Sequence, residues 1–401
     1  MTPLNGVLGR ASLTNAAREL LVEGRAGAVK REESAFDAAA EGRTDSLVLF
    51  GAGNLGRKTL AGLRTVGIEP LAFTDSNPRL WDNPVEGLMV LPPAEAARLY
   101  GTTATFVITI WTGEGYDRMG SRERQLHSLG CRRVVPFTLL FWKFAEIFLP
   151  HYAVDLPHKV HDQGQDTLRA CELWSDDASR FEYLAQLRWR LLSDFDTLPD
   201  PVRETTYFPR DLFTLNEREV FIDCGAYDGD TIRSFLERPN GPSGRIFAFE
   251  ADPNNFARLV STVAMLPKQL SIEVNNQAVG SSNGSVLFCA SGNEASYVSP
   301  ISGDIRVDCV ALDGALDGLD PTYIKMDIEG AELDALAGSA QLVKRCSPVL
   351  AICCYHRQDH LWKIPLFIQS LNPDYRFYLR PHLLEGWDLV CYAVPADRIK
   401  A

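Results

Sequence analysis

Short apolar runs, glycine turns and amphipathic stretches alternate along this chain in two blocks. In the first block, "SLVLFGAGNLGRKTLAGLRTVG" predicts a strand, a glycine turn and a helix. "EPLAFTDSN" follows as a second strand that ends in an acid, and "TATFVITIW" and "CRRVVPF" read as a third and a fourth. Strands that alternate with helices imply a parallel sheet. From about residue 141 to 207 the apolar spacing becomes helical, as in "SRFEYLAQLRWRLLSDF". From about 208 the strand–helix rhythm resumes, with strands expected at "EVFIDCG", "RIFAFEA", "LSIEVNN", "TYIKMDI" and "VLAICCY". The last two strands, "YRFYLR" and "DLVCYAV", have only a short connection, so they are antiparallel. The chain is therefore expected to be α/β. A helical lead (1–44) precedes a small Rossmann-like domain (45–140), a helical connector (141–207) and a second Rossmann-like domain (208–401).

Composition narrows the classes of partner. Of the 401 residues, 46% are hydrophobic and 23% charged, the balance of a globular protein. A net charge of -12 argues against nucleic acid or an anionic membrane as the main partner. The longest apolar stretch, "VVPFTLLFWKFAEIFLP", is broken by Pro136, Lys143 and Glu146, so no membrane helix is expected. The N-terminus lacks the apolar core of a signal peptide. Nine cysteines without CxxC spacing sit mostly in apolar runs, which suggests reduced thiols and a cytoplasmic protein. Oligomeric state is not legible.

Two glycine turns carry candidate chemistry. The first, "GAGNLG", places Gly51, Gly53 and Gly56 between a strand and a helix, and Asp75 ends the next strand. That context fits a nucleotide or nucleotide sugar, with the acid on ribose hydroxyls. The alternative is a turn kept only for close strand–helix packing. The second, "VFIDCGAYDGDT", holds Asp223, Gly225, Ala226, Asp228 and Gly229, and Glu250 ends the following strand in "FAFEADP". Here the strand ends in an acid and the loop has no basic residue, so no phosphate is needed. A cationic sulfonium suits Asp223 and Asp228, while Glu250 can accept both ribose hydroxyls. This pattern predicts S-adenosyl-L-methionine as the cofactor.

Lys325, Asp327 and Glu329 in "YIKMDIEGAELDALAGS" alternate, which predicts one shared face at the carboxyl end of a strand. Ligands of open α/β sheets bind at that edge. His356 follows the next buried strand on the same edge and could take a proton from a substrate hydroxyl. Asp327 is the other candidate base, and Lys325 could stabilise charge on oxygen. Two acids and His356 could also hold a metal ion. The spacing fits no strong metal signature, so no metal site is expected and divalent-metal dependence stays open. His158 and His161 read as solvated, and His382 could reach the substrate.

Four segments, "VFIDCGAYDGDT", "FAFEADPNNF", "YIKMDIEGAELDAL" and "AICCYHRQDHLWKIPLFIQSL", occur in order and together resemble the FkbM-family methyltransferases over about residues 205–397. The resemblance implies a class I methyltransferase fold with a terminal antiparallel hairpin. It also implies S-adenosyl-L-methionine as donor and, usually, O-methylation of a sugar, glycan or other hydroxylated natural product. On that footing Asp223, Gly225 and Glu250 hold the cofactor, and Lys325, Asp327, Glu329 and His356 face the acceptor. Tyr227 and Asp228 depart from the family pattern of the turn, and the first Rossmann-like domain lies outside it. The competing reading is a ligand-sensing or scaffold protein that binds nucleotide-type ligands without turnover.

Overall fold

The computed structural model describes residues 10–400 except 114, 116, 239–243, 269, 290–296, 299–302 and 304. In the first half the strands are β1 (Leu47–Phe50), β2 (Ala72–Thr74), β3 (Pro84–Val85), β4 (Leu88–Leu91), β5 (Thr105–Ile108) and β6 (Arg133–Pro136). In the second half β7 (Val220–Cys224), β8 (Arg245–Phe249) and β9 (Ser271–Asn275) come first. The short strands β10 (Ala278–Val279), β11 (Gly284–Cys289), β12 (Tyr297–Val298) and β13 (Ile305–Val310) follow. Then come β14 (Tyr323–Met326), β15 (Val349–Cys353), β16 (Arg376–Pro381) and β17 (Leu389–Val394).

Among the described residues these strands form three sheets, ordered β3-β4-β2-β1-β5-β6, β10-β13-β11-β12 and β16-β17-β15-β14-β7-β8-β9. In the first sheet β1, β2, β4, β5 and β6 are parallel, as expected. Every residue of β1 and β5 is buried, which explains their unbroken apolar sequences. The third sheet is parallel except for β17, which pairs antiparallel with both β15 and β16. Its strand order reverses between β7 and β14, and that switch point is where an α/β sheet opens a crevice.

Two features escaped the sequence pattern. The antiparallel pair β3–β4 lies in a segment to which no strand was assigned, and its strands are very short. The small sheet also went unread, because exposed and buried positions mix along β11 and β13.

The lead and the connector are helical. The helices Arg10–Leu20 and Gly24–Ala39 of the lead lie against the connector, where Thr14 donates to Glu172 at 2.6 Å. His158 and His161, expected to be solvated, are not. His158 Nδ1 is 2.8 Å from Glu32 Oε2, and the His161 side chain is buried. The lead helix covers both, which no local pattern reveals. The connector helix Asp177–Leu192 starts at Asp176, which accepts from Ser179 N–H. Its first turn is tied to β16 through Arg380, which donates to Ser179 Oγ and pairs with Asp176. No helix among the described residues is long and apolar enough to cross a membrane.

Candidate active site

A cavity of about 340 Å³ opens at the β7/β14 switch point. Gly225, Tyr227, Glu250, Asp327, Glu329 and Tyr355 are among its lining residues.

The turn after β7 has glycine for steric reasons. Gly225 has φ +80°, and a Cβ there would lie 1.8 Å from the Asp327 carbonyl oxygen. Gly229 has φ +87° and caps the helix Asp230–Leu236. The N–H groups of Gly225 and Ala226 both donate to the Phe249 carbonyl, which draws the turn against β8. Glu250 completes the clamp. Its Oε2 accepts from Tyr227 N–H at 2.9 Å and its Oε1 from Asp252 N–H at 2.7 Å. Burial pushes its carboxyl up to about 7, with these two N–H groups pulling it back. Each oxygen keeps a further acceptor position.

Three of the sequence-derived residues have different surroundings from those expected. Asp223 is fully buried beneath the turn. It is the register partner of Lys325, and the two side chains meet at 3.1 Å. Lys325, expected to face an acceptor, is buried as well and donates to the Gly225 carbonyl at 2.6 Å. Burial opposes its charge, but Asp223 and Asp327 outweigh that and hold the ammonium above its ordinary value. Burial pushes Asp223 up to about 6 against the pull of Lys325. Asp228 is bonded to Arg233 in the following helix at 3.0 Å. An acid two positions on, Asp230, lines the cavity instead.

The single face expected for Lys325, Asp327 and Glu329 does not form, because β14 ends at Met326. Lys325 lies within the strand, while Asp327 and Glu329 occupy the loop beyond it. Glu329 has φ +54° and Gly330 φ +99°. This left-handed pair brings both acids toward His356, whose Nε2 is 3.3 Å from Asp327 Oδ1 and 3.5 Å from Glu329 Oε1. The Nδ1 of the same ring is 2.8 Å from Glu332 Oε1, and His360 Nδ1 is 3.2 Å from Glu332 Oε2. Burial works against protonation of His356, yet the carboxylates of Glu329 and Glu332 hold it well above the ordinary imidazole value. A proton held on Nε2 by these carboxylates must leave before that nitrogen can act as a base or as a ligand. His382 is bonded to the Tyr392 hydroxyl at 2.7 Å.

Sequence reading missed Tyr207, which lies outside any strand or helix at φ +67°. Its hydroxyl donates to Asp327 Oδ2 at 2.7 Å. It missed an aromatic wall too. Trp111 and Tyr152 from the first half meet Trp387 from the second at 4.6 and 4.9 Å between ring centroids, and Tyr152 lies 6.3 Å from the His356 ring. These rings are far apart in sequence, so only the tertiary fold unites them.

The first glycine turn has the same construction as the second. Asp75 Oδ2 accepts from Ala52 N–H at 2.9 Å and Oδ1 from Asn77 N–H at 2.8 Å. A Cβ at Gly56 would lie 1.9 Å from the Gly51 carbonyl oxygen. Close packing therefore accounts for Gly51 and Gly56 without a ligand, and the expected nucleotide or nucleotide sugar gains no support there. Gly53 has open space around it.

Residues 223–381 match the family model described as methyltransferase FkbM domain. The chain is similar in fold to the crystal structure of methyltransferase FkbM from Methylobacillus flagellatus KT. The TM-score is 0.75 at 23% identity, covering 96% of this chain and 98% of that one. Weaker likenesses include a precorrin-6y C5,15-methyltransferase from Geobacter metallireducens, at 18% identity, TM-score 0.28, and 46% and 84% coverage. The S-adenosyl-L-methionine-bound fibrillarin of Aeropyrum pernix is another, at 12% identity, TM-score 0.27, and 45% and 69% coverage. No curated protein matches the chain.

Proposed function

Because residues 223–381 match the methyltransferase FkbM domain, we propose that this chain catalyses the S-adenosyl-L-methionine-dependent O-methylation of a hydroxylated small molecule or glycan. One observation carries the reading. The glycine turn with its Glu250 clamp and the acids Asp327 and Glu329 open onto the same cavity. In this reading Glu250 receives the two ribose hydroxyls, and the adenine lies toward Ala278 and Phe288. The sulfonium comes to rest near Asp327. Asp223 supports the turn from below, and Lys325, which ties Asp223 to the Gly225 carbonyl, borders the cavity.

Methyl transfer is an in-line displacement, so the protein's work is to align the acceptor oxygen and remove its proton. Asp327 is the residue best placed to receive that oxygen. It lines the cavity, and Tyr207 fixes its far oxygen. The group of Trp111, Tyr152 and Trp387 reaches the site through Tyr152, whose ring lies 6.3 Å from that of His356.

Incubating the protein with methyl-deuterated S-adenosyl-L-methionine and cell extract tests this reading. Mass spectrometry should find the label on an oxygen of a low-mass or glycan product. Tight cofactor binding with no labelled product would favour the sensing reading, and label on carbon or nitrogen would overturn O-methylation.

A further inference from the structure

The strongest unexplained group in the molecule is the Nε2 of His356. The imidazole is 1% exposed, and among the described residues Nε2 makes no hydrogen bond. It points between Asp327 and Glu329, and one donor atom from each of the three residues lies within 4.8 Å of the others. Two ligands of one first-row ion, with bonds of about 2.1 Å and angles between octahedral and tetrahedral, stand about 3.0–3.4 Å apart. The separations of 3.3 and 3.5 Å from Nε2 to the two carboxylates fall close to that range.

The surrounding groups are arranged as around a metal ligand. Glu332 lies against Nδ1, which fixes the tautomer that leaves the Nε2 lone pair toward the acids. Glu332 is itself held, with its Oε1 accepting from Ile328 N–H at 3.1 Å. Tyr207 occupies Asp327 Oδ2, so Oδ1 is the oxygen turned to the imidazole.

The geometry points to a divalent-cation site at Asp327, Glu329 and His356, whose ion binds the acceptor hydroxyl and makes it acidic. Two carboxylate oxygens and one imidazole nitrogen suit Mn²⁺, Fe²⁺, Co²⁺ or Zn²⁺ better than Ca²⁺. Three protein ligands leave coordination positions for an acceptor oxygen. Asp327 and Glu329 line the cavity, so those positions are within reach of the cofactor. The acceptor O–H releases its proton to solvent. The oxygen's electron pair then forms the new O–CH3 bond while the C–S bond of the sulfonium breaks. S-adenosylhomocysteine leaves neutral at sulfur. This role rests on the methyl-transfer reading above, whereas the site itself does not.

The test uses the full-length chain, stripped with EDTA and dialysed, then titrated with Mn²⁺ followed by electron paramagnetic resonance and with Zn²⁺ followed by metal analysis. S-adenosyl-L-methionine binding is measured in parallel by calorimetry. We expect one ion per chain. Glu329→Gln and His356→Gln should weaken Mn²⁺ at least tenfold, with cofactor affinity held within about threefold. Glu329 is partly exposed, so its variant keeps the test valid if the buried His356 variant fails to fold. Failure of the parent to bind either ion, or unchanged Mn²⁺ affinity in Glu329→Gln, would overturn the site and leave a buried ion network. If the ions bind but S-adenosyl-L-methionine does not, the site stands and the methyl-transfer reading falls.

Discussion

Lys325 and Asp223 are register partners on β14 and β7, and their charges meet at 3.1 Å with both side chains sealed from solvent. Removing one partner strands the other. Lys325→Met should cost about 3–5 kcal/mol in urea unfolding. The double variant Lys325→Met, Asp223→Leu should recover part of that loss, because no unpaired charge remains. A loss below about 1 kcal/mol in the single variant would mean that the pair does not carry the turn.

Gly225 is the tightest point of that turn. Any side chain there meets the Asp327 carbonyl and must hold φ at +80°. Gly225→Ala should weaken S-adenosyl-L-methionine at least tenfold by calorimetry, a cost of about 1.4 kcal/mol or more. Parent-like affinity would show that the cofactor does not use this turn.

If Glu250 receives the ribose as proposed, it gives cofactor binding a pH dependence of definite sign. With its carboxyl pushed up to about 7, the unliganded protein holds a proton there in mildly acidic solution. Two ribose hydroxyls need a bare acceptor, so binding expels that proton below about pH 7. Affinity should rise with pH up to about 7 and then level off. Calorimetry in buffers of different ionisation enthalpy should detect the released proton. The unliganded fold follows the opposite course. A carboxyl with a raised folded-state pKa contributes stability at low pH, which is lost as pH rises through about 7. Glu250→Gln should flatten both profiles, and an unchanged pH profile in that variant would remove Glu250 from the site.

Glu385 joins the two halves of the molecule. It accepts from Met119 N–H and lies 3.5 Å from Arg122, while its own carbonyl accepts from the Trp111 indole at 3.1 Å. Arg122 and Glu385 are both buried. Glu385→Ala should cost about 3–5 kcal/mol. It should also split the calorimetric unfolding into two transitions, as the halves lose their tie. A single, barely shifted transition would refute this.

Apart from β3 and β4, the strand plan of both large sheets was legible, because buried parallel strands write themselves as apolar runs ending in turn residues. "VFIDCG", "FAFEA" and "YIKMDI" all sit where their spelling implied. The site was legible at the level of segments and less so at the level of side chains. Alternation placed Lys325, Asp327 and Glu329 on one face, but the strand stops at Met326 and the left-handed Glu329 redirects its carboxylate. Glu332 was not singled out, although its carboxylate lies 2.8 Å from His356 Nδ1. Tyr207 and the Trp111–Trp387 contact depend on long-range packing and leave no local periodicity to detect.

The position of β17 between β15 and β16 also fixes a sequence of events during synthesis. The ribosome finishes every strand of the first sheet before β7 begins, so that sheet can close early. The second sheet cannot. Until Leu389–Val394 has emerged, β15 lacks its neighbour on that side and β16 has no partner in the sheet. Between the emergence of β15 and that of β17 the nascent sheet therefore carries an apolar edge. Closure of that sheet waits on Leu389–Val394, however early its other strands are made.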